Sequence, residues 1–310
     1  MEYCVIESDL PLVTFVLLTY NQEDYIREAV QAAVCQEFSS IEIILSDDCS
    51  TDGTFDIMRE FVKSYNGPHK IILNRTRKNL GICGHLNSIL KIAQGEIIIN
   101  AAGDDISLPN RTKLLYERFL ADGEKTVAVF SNAEVVNFQG DRQRRFFRVP
   151  PKYSKNIDEF MVNRNCWALG CTFAFRKNIF DKYGALDSSV FQEDGLLAFR
   201  SLLEGELGYV DELLVKYRIH DSNVSNIENP KKLLILQRNV HRMNKIWLDE
   251  AIKFKGENRR LVSILRREYI YSRIKGALFS IPLIGYTYNY ALLGLVKVVR
   301  VARNLASNEL

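Results

Sequence analysis

Short apolar runs alternate with segments of helical period over the first third of the chain. Val13–Leu18 (VTFVLL) reads as a fully buried strand, since such strands carry continuous β-branched and aliphatic runs. From Asp24 to Phe38 the apolar residues Tyr25, Ile26, Ala29, Val30, Ala33 and Val34 fall at helical spacing. Ile41–Leu45 (IEIIL) predicts a second strand, ending in Ser46-Asp47-Asp48 and the turn CSTDGT. A helix over Thr54–Tyr65, a strand over Lys70–Asn74 and a helix over Leu80–Ala93 follow. The strand Glu96–Asn100 then runs into Gly103-Asp104-Asp105. Such alternation predicts an α/β domain with a doubly wound, mostly parallel sheet.

Beyond Pro109 the pattern loosens. Val127–Ser131, Thr172–Arg176 and Tyr209–Tyr217 read as strands and Gln192–Leu203 as a helix; the basic QGDRQRRFFRVPPK reads as an exposed loop. After Pro230 the chain becomes helical and rich in Lys and Arg. Residues 276–296 carry no charge. That length spans a bilayer, yet Pro282, three glycines and Tyr286, Tyr288 and Tyr290 suit a monotopic or re-entrant hairpin better. A true span and a hairpin buried on protein are the alternatives. The expected division is a catalytic-type domain over 1–228 and a basic helical region over 229–310.

Composition adds a charge asymmetry. The net +3 of the 310-residue chain divides into 16 Lys+Arg against 5 Asp+Glu over 231–310 and 25 against 33 over 1–230. The basic tail suggests an anionic partner, a lipid surface or nucleic acid, unless it solvates itself or pairs with the acidic body; the partner expected is a membrane surface, with no nucleic acid. With 47% hydrophobic residues the chain is globular, not disordered. The N-terminus lacks the basic n-region and cleavage site of a signal peptide. The six cysteines show no zinc spacing and read as reduced, mostly buried thiols. These readings point to the cytoplasm, peripheral or monotopic on the inner face of the plasma membrane. Whether the chain forms a homo-oligomer is open.

Four constellations carry candidate chemistry. Thr19-Tyr20-Asn21 ends the first strand and suits stacking and hydrogen bonding to a nucleobase, or is an ordinary loop. Asp47 and Asp48 precede a turn and suit a base N–H or ribose hydroxyl, while Thr51 or Asp52 caps the next helix. Asp104 and Asp105 repel each other unless a cation lies between them, and hard oxygen ligands suit Mg2+ or Mn2+; Gly-Asp-Asp is also good turn chemistry. Glu193 and Asp194 open a helix, as plain N-terminal acids or as a general base in a cleft.

Taken in order, these motifs resemble the family 2 inverting glycosyltransferases of GT-A fold. The run PLVTFVLLTYNQEDYIREAVQAAVCQEFSSIEIILSDDCSTDGT is similar to their nucleotide-binding signature. NLGICGHLN and GEIIINAAGDDISLPNRT match the approach to the family's D-x-D metal site. WALGCTFAFRKNIF and FQEDGLLAFRSLLEG resemble the acceptor-side strand and the Glu-Asp motif. YRIHDSNVS is similar to the closing motif of smaller bacterial members, rhamnosyltransferase-like enzymes among them.

The resemblance implies roles. Thr19, Tyr20, Asn21, Asp47, Asp48 and Asp104 would bind a nucleoside diphosphate sugar, UDP- or dTDP-linked. Asp105, with Asp104 and His220, would hold Mg2+ or Mn2+; a loop-packing role for His220 is equally open. Asp194 would be the catalytic base, with Glu193 and Trp167 on the acceptor or in support. A hexosyl or deoxyhexosyl group would pass to a lipid-linked or other glycan acceptor in polysaccharide assembly of the O-antigen or capsule kind. There are departures. Ala102 replaces the first D-x-D carboxylate, and Leu86, beside His85, replaces a basic diphosphate contact. The Q-x-x-R-W motif of processive synthases is absent, where the chain reads KYRIHDSN, so a single addition is expected. A nucleotidyltransferase lacks its Gly-rich phosphate loop here. A non-catalytic nucleotide-sugar-binding scaffold on the same fold is the other alternative.

Overall fold

A strand covered on both faces has no solvent-facing positions for polar residues, and the apolar runs become strands for that reason. β1 (Val13–Thr19), β2 (Ile41–Asp47), β3 (Lys70–Arg75) and β4 (Ile97–Ala102) are connected by α1 (Ile26–Val34), α2 (Thr54–Ser64) and α3 (Gly81–Leu90). The computed structural model describes residues 13–151, 156–162, 168–221, 223 and 230–279. β1 lies parallel between β2 and β4, with Val13 opposite both Ile41 and Ile97. Phe15, Leu17, Ile43, Leu45 and Ile99 form the main core, joined by Ile26, Val30 and Ala33 of α1.

The remaining elements of this unit are β5 (Ile106–Ser107), α4 (Arg111–Asp122), β6 (Thr126–Val136), β7 (Arg142–Arg145), α5 (Ile157–Val162), β8 (Phe173–Arg176), α6 (Asn178–Tyr183), α7 (Glu193–Glu204) and β9 (Glu206–Arg218). The strand order is β3-β2-β1-β4-β8-β6-β9-β5, with β7 beside β6. From β3 to β4 the sheet is parallel; β8 then runs antiparallel to both β4 and β6. The chain therefore builds an α/β sheet that is parallel in its first half and mixed in its second. Strand order reverses across β1, and the crevice beyond the carboxyl ends of β1 and β4 is where open sheets hold ligands.

Two local differences from the sequence pattern have clear causes. The expected loop at 139–152 contains β7, whose four polar residues RQRR give no apolar alternation yet pair with β6. Helix α1 is shorter than 24–38. Residues 22–25 form a turn in which the Tyr25 and Ile26 N–H groups bond to the Gln22 carbonyl. At the other end Gln36 leaves the helix to bond Leu108 and Thr112.

A second unit begins at Asp221. Within it α8 (Pro230–Lys255) and α9 (Arg259–Phe279) form an antiparallel hairpin. Met243, Trp247, Ala251, Leu261 and Leu265 are buried, and the His241 ring bonds Ser272 across the seam at 3.0 Å. Among the described residues no helix is long and apolar enough to cross a membrane. Of the uncharged stretch 276–296, residues 276–279 end α9, and the rest lies outside the described residues.

Candidate active site

The ends of β1 and β2 are stitched together before any ligand is considered. Asn21 takes a left-handed backbone (φ 51°), which asparagine tolerates better than most residues. Its N–H donates to Ser50 Oγ at 2.8 Å and its Oδ1 accepts from the Thr51 N–H at 2.8 Å. Thr19 is buried, its hydroxyl bonded to the Ser46 carbonyl. Tyr20 is different: the residue is 44% exposed at the end of β1.

Asp47 and Asp48 resolve their repulsion with partners inside the protein. Asp47 Oδ2 accepts the Ser50 N–H at 3.0 Å and pairs with Arg75 Nε at 3.1 Å. Its Oδ1 is buried without a partner. Asp48 accepts the Leu80 N–H at 3.0 Å and the Thr76 hydroxyl at 2.9 Å. Both carboxylates are thus buried supports of the loops that follow β2 and β3. His85 is buried against Ser46 at 2.7 Å, and burial lowers its pKa against the pull of Asp48 and Asp47. Leu86 is also buried, so neither residue replaces the missing basic contact at a surface.

The Gly103-Asp104-Asp105 turn parts its two acids. Gly103 sits where a Cβ would come within 2.7 Å of the Thr19 methyl. Asp105 points inward: its Oδ1 accepts the Arg218 N–H at 2.8 Å, and Cys171 is hydrogen-bonded to it. Burial and the neighbouring Asp104 push its pKa well above the usual carboxylate range. Asp104 instead lies 3.0 Å from His220 Nε2. The His220 ring packs on Tyr25 of the β1–α1 loop at 4.9 Å between centroids. Among the described residues no group of three or more His, Cys, Asp and Glu is arranged to hold a metal ion. Asp104 and His220 together would offer a cation two donors, while Asp105 is bonded elsewhere.

Arg218 locks this turn in place. From the end of β9 its Nε donates to the Asp104 carbonyl at 3.0 Å, Nη1 to Phe138 O at 2.9 Å and Nη2 to Glu28 Oε2 at 2.6 Å. Its guanidinium also covers the Tyr25 ring at 4.9 Å.

Glu193 and Asp194 open α7. The Gly195 N–H donates to Asp194 Oδ1 at 2.7 Å. Burial raises Asp194 to about 6, opposed by the N–H groups of Gly195 and Gly170. Burial, and then the charge of Asp194, push Glu193 to about 8. One short turn, Gly170–Thr172, connects the two acidic centres. Gly170 packs so closely that a Cβ there would collide with the Glu193 carboxyl. The next residue, Cys171, holds Asp105. Trp167 lies outside the described residues. The sequence reading passes over Arg218, Gly170 and Cys171. Arg218 was visible two residues before His220 in KYRIHDSN, but nothing in the pattern distinguishes an inward arginine from a solvated one.

The model of glycosyl transferase family 2 matches residues 14–184. The chain belongs to that family. Its match ends before Asp194 and His220. A glycosyltransferase of uncharacterized activity from Rickettsia typhi is 29% identical over 219 residues, 70% of this chain and 66% of the relative. A Mycobacterium bovis relative is 27% identical, and this chain spans 59% of its length. The chain thus spans about two thirds or less of these relatives. The Escherichia coli UDP-Glc:α-D-GlcNAc-diphosphoundecaprenol β-1,3-glucosyltransferase WfaP is 29% identical over 235 residues, 74% of this chain and 86% of the relative. Staphylococcus aureus TarS 1–349 with UDP-GlcNAc superposes with a TM-score of 0.63 at 18% identity, covering 88% of this chain and 76% of that 1–349 chain. The Pyrobaculum calidifontis mannosyltransferase PcManGT with GDP-Man and Mn2+ gives 0.59 at 15%, covering 97% of this chain and 85% of that one. These likenesses establish the GT-A glycosyltransferase fold.

Proposed function

We propose that the chain transfers one sugar, with inversion, from a UDP- or dTDP-linked donor to a hydroxyl of a lipid-linked glycan acceptor, in surface-polysaccharide assembly. The observation that carries this reading is the Gly170–Thr172 turn, which holds Asp105, the neighbour of Asp104, through Cys171 and lies against Glu193 through Gly170. Tyr20 supplies a face for the nucleobase, and Asn21 shapes the loop beneath it. Thr19, Asp47 and Asp48 brace that loop. Asp104 and His220 would hold Mg2+ or Mn2+, with Asp105 bracing the turn from inside. The cation, when bound, offsets the charge of the departing diphosphate. Asp194 takes the acceptor proton as its oxygen attacks the anomeric carbon from the face opposite the leaving group. Glu193, protonated near neutrality, supports Asp194 without adding a second charge. The enzyme works at the inner face of the plasma membrane as a peripheral or monotopic protein. WfaP acts on a diphosphoundecaprenol-linked acceptor, which supports this reading of the acceptor.

A panel of UDP- and dTDP-sugars with Mn2+ or Mg2+ tests the donor. One donor should raise the melting temperature on the order of 5 °C at a hundredfold excess over Kd, and only with metal. A shift that is the same in EDTA, or none with any nucleotide sugar, contradicts the reading.

A further inference from the structure

The α8–α9 hairpin buries one seam and leaves α9 with an unusual outer face. Its inward residues Leu261 and Leu265 are fully buried. Opposite them, at helical spacing, lie the exposed Arg259, Ser263, Arg266, Arg267, Ile270 and Ile274. Ile270 and Ile274 are each 55% exposed, one turn apart, and Tyr271 beside them is 63% exposed. The sole acid of α9, Glu268, is half-buried, and its carbonyl accepts from Asn244 of α8. The outer face therefore presents apolar side chains in a setting of positive charge with no acid among them. An outer helix face facing only water is expected to be polar. A nucleic acid would meet the arginines but offer no apolar phase to the isoleucines. An anionic lipid surface offers both.

We propose that the outward face of α9 docks the chain on an anionic lipid membrane. Ile270, Tyr271 and Ile274 enter the headgroup–acyl boundary, and Arg266 and Arg267 meet the lipid phosphates. The uncharged sequence that follows, 276–296, continues from the same end of this helix. The proposal rests on the reading that the acceptor is membrane-presented, but its test needs no acceptor.

The experiment is co-sedimentation of the full chain with phosphatidylcholine vesicles, with and without phosphatidylglycerol. The parent should bind only the anionic vesicles, less strongly as salt rises. Arg266→Glu/Arg267→Glu, and separately Ile270→Asn/Ile274→Asn, should each weaken that binding about tenfold or more. All four residues are exposed, so the melting temperature and donor-dependent thermal shift should stay at parental values. Parental vesicle binding by both variants overturns the proposal. So does equal binding to neutral vesicles, which would assign the contact to 276–296. If the isoleucine variant alters only the oligomer size, a second copy covers this face and the proposal also falls. A parent that docks on vesicles yet transfers no sugar to any acceptor would leave docking intact and defeat the acceptor reading.

Discussion

Glu193 and Asp194 are adjacent carboxyls whose surroundings set them apart. Asp194, at about 6, is ionised near neutral pH, and Glu193, at about 8, still holds its proton. Transfer should therefore fall as pH drops through about 6, when the base is protonated. It should fall again above about 8, when a second charge develops beside it. A pH profile of kcat/KM for Glu193→Gln should lose the upper limb and keep the lower. Stability follows the same group. Its folded pKa is raised, so its stabilising contribution is complete below the ordinary value of 4.5 and is lost as pH rises to about 8. Urea midpoints should decline across that interval in the parent and less in Glu193→Gln. At Gly170 a methyl group would strike the Glu193 carboxyl. Gly170→Ala should lower kcat on the order of a hundredfold through displacement of the pair, while donor Kd stays close to parental.

At the scale of elements, β9 ends as a clamp on the β4 turn. Arg218 joins α1, the β6–β7 turn and the Asp104 carbonyl through one buried side chain. Arg218→Ala should cost roughly 2–4 kcal/mol in denaturant unfolding, since a buried guanidinium that donates to Asp104 O, Phe138 O and Glu28 Oε2 is lost. It should also abolish metal-dependent donor binding. Glu28, whose side chain is 62% exposed, supplies a milder control: Glu28→Gln should cost under about 1 kcal/mol. The strands and helices of the first half were legible because buried parallel strands write themselves as apolar runs. β7 was not, since RQRR gains its strand from pairing alone. At the strand ends, the pattern places the acids on their loops but does not give which way each acid points. The motif makes Asp105 the first metal ligand, whereas its bonds run to the Arg218 N–H and Cys171. That division depends on residues more than sixty positions away, which no local pattern encodes.

For the whole molecule, the acidic and basic parts of the sequence correspond to different compact units. The GT-A unit up to His220 holds the crevice, and the helical unit after it carries the basic surplus. Metal removal should act on the first alone: chelation should abolish donor binding and leave the far-ultraviolet helical signal unchanged. The central claim is that this crevice performs sugar transfer with Asp194 as the base. The most direct measurement is release of nucleoside diphosphate from the selected donor with a lipid-linked glycan acceptor and Mn2+, for the parent and Asp194→Asn. The account predicts release by the parent that stops in EDTA, and an Asp194→Asn variant that binds donor normally but releases about 10²–10⁴-fold less. Release by Asp194→Asn at the parental rate would contradict it.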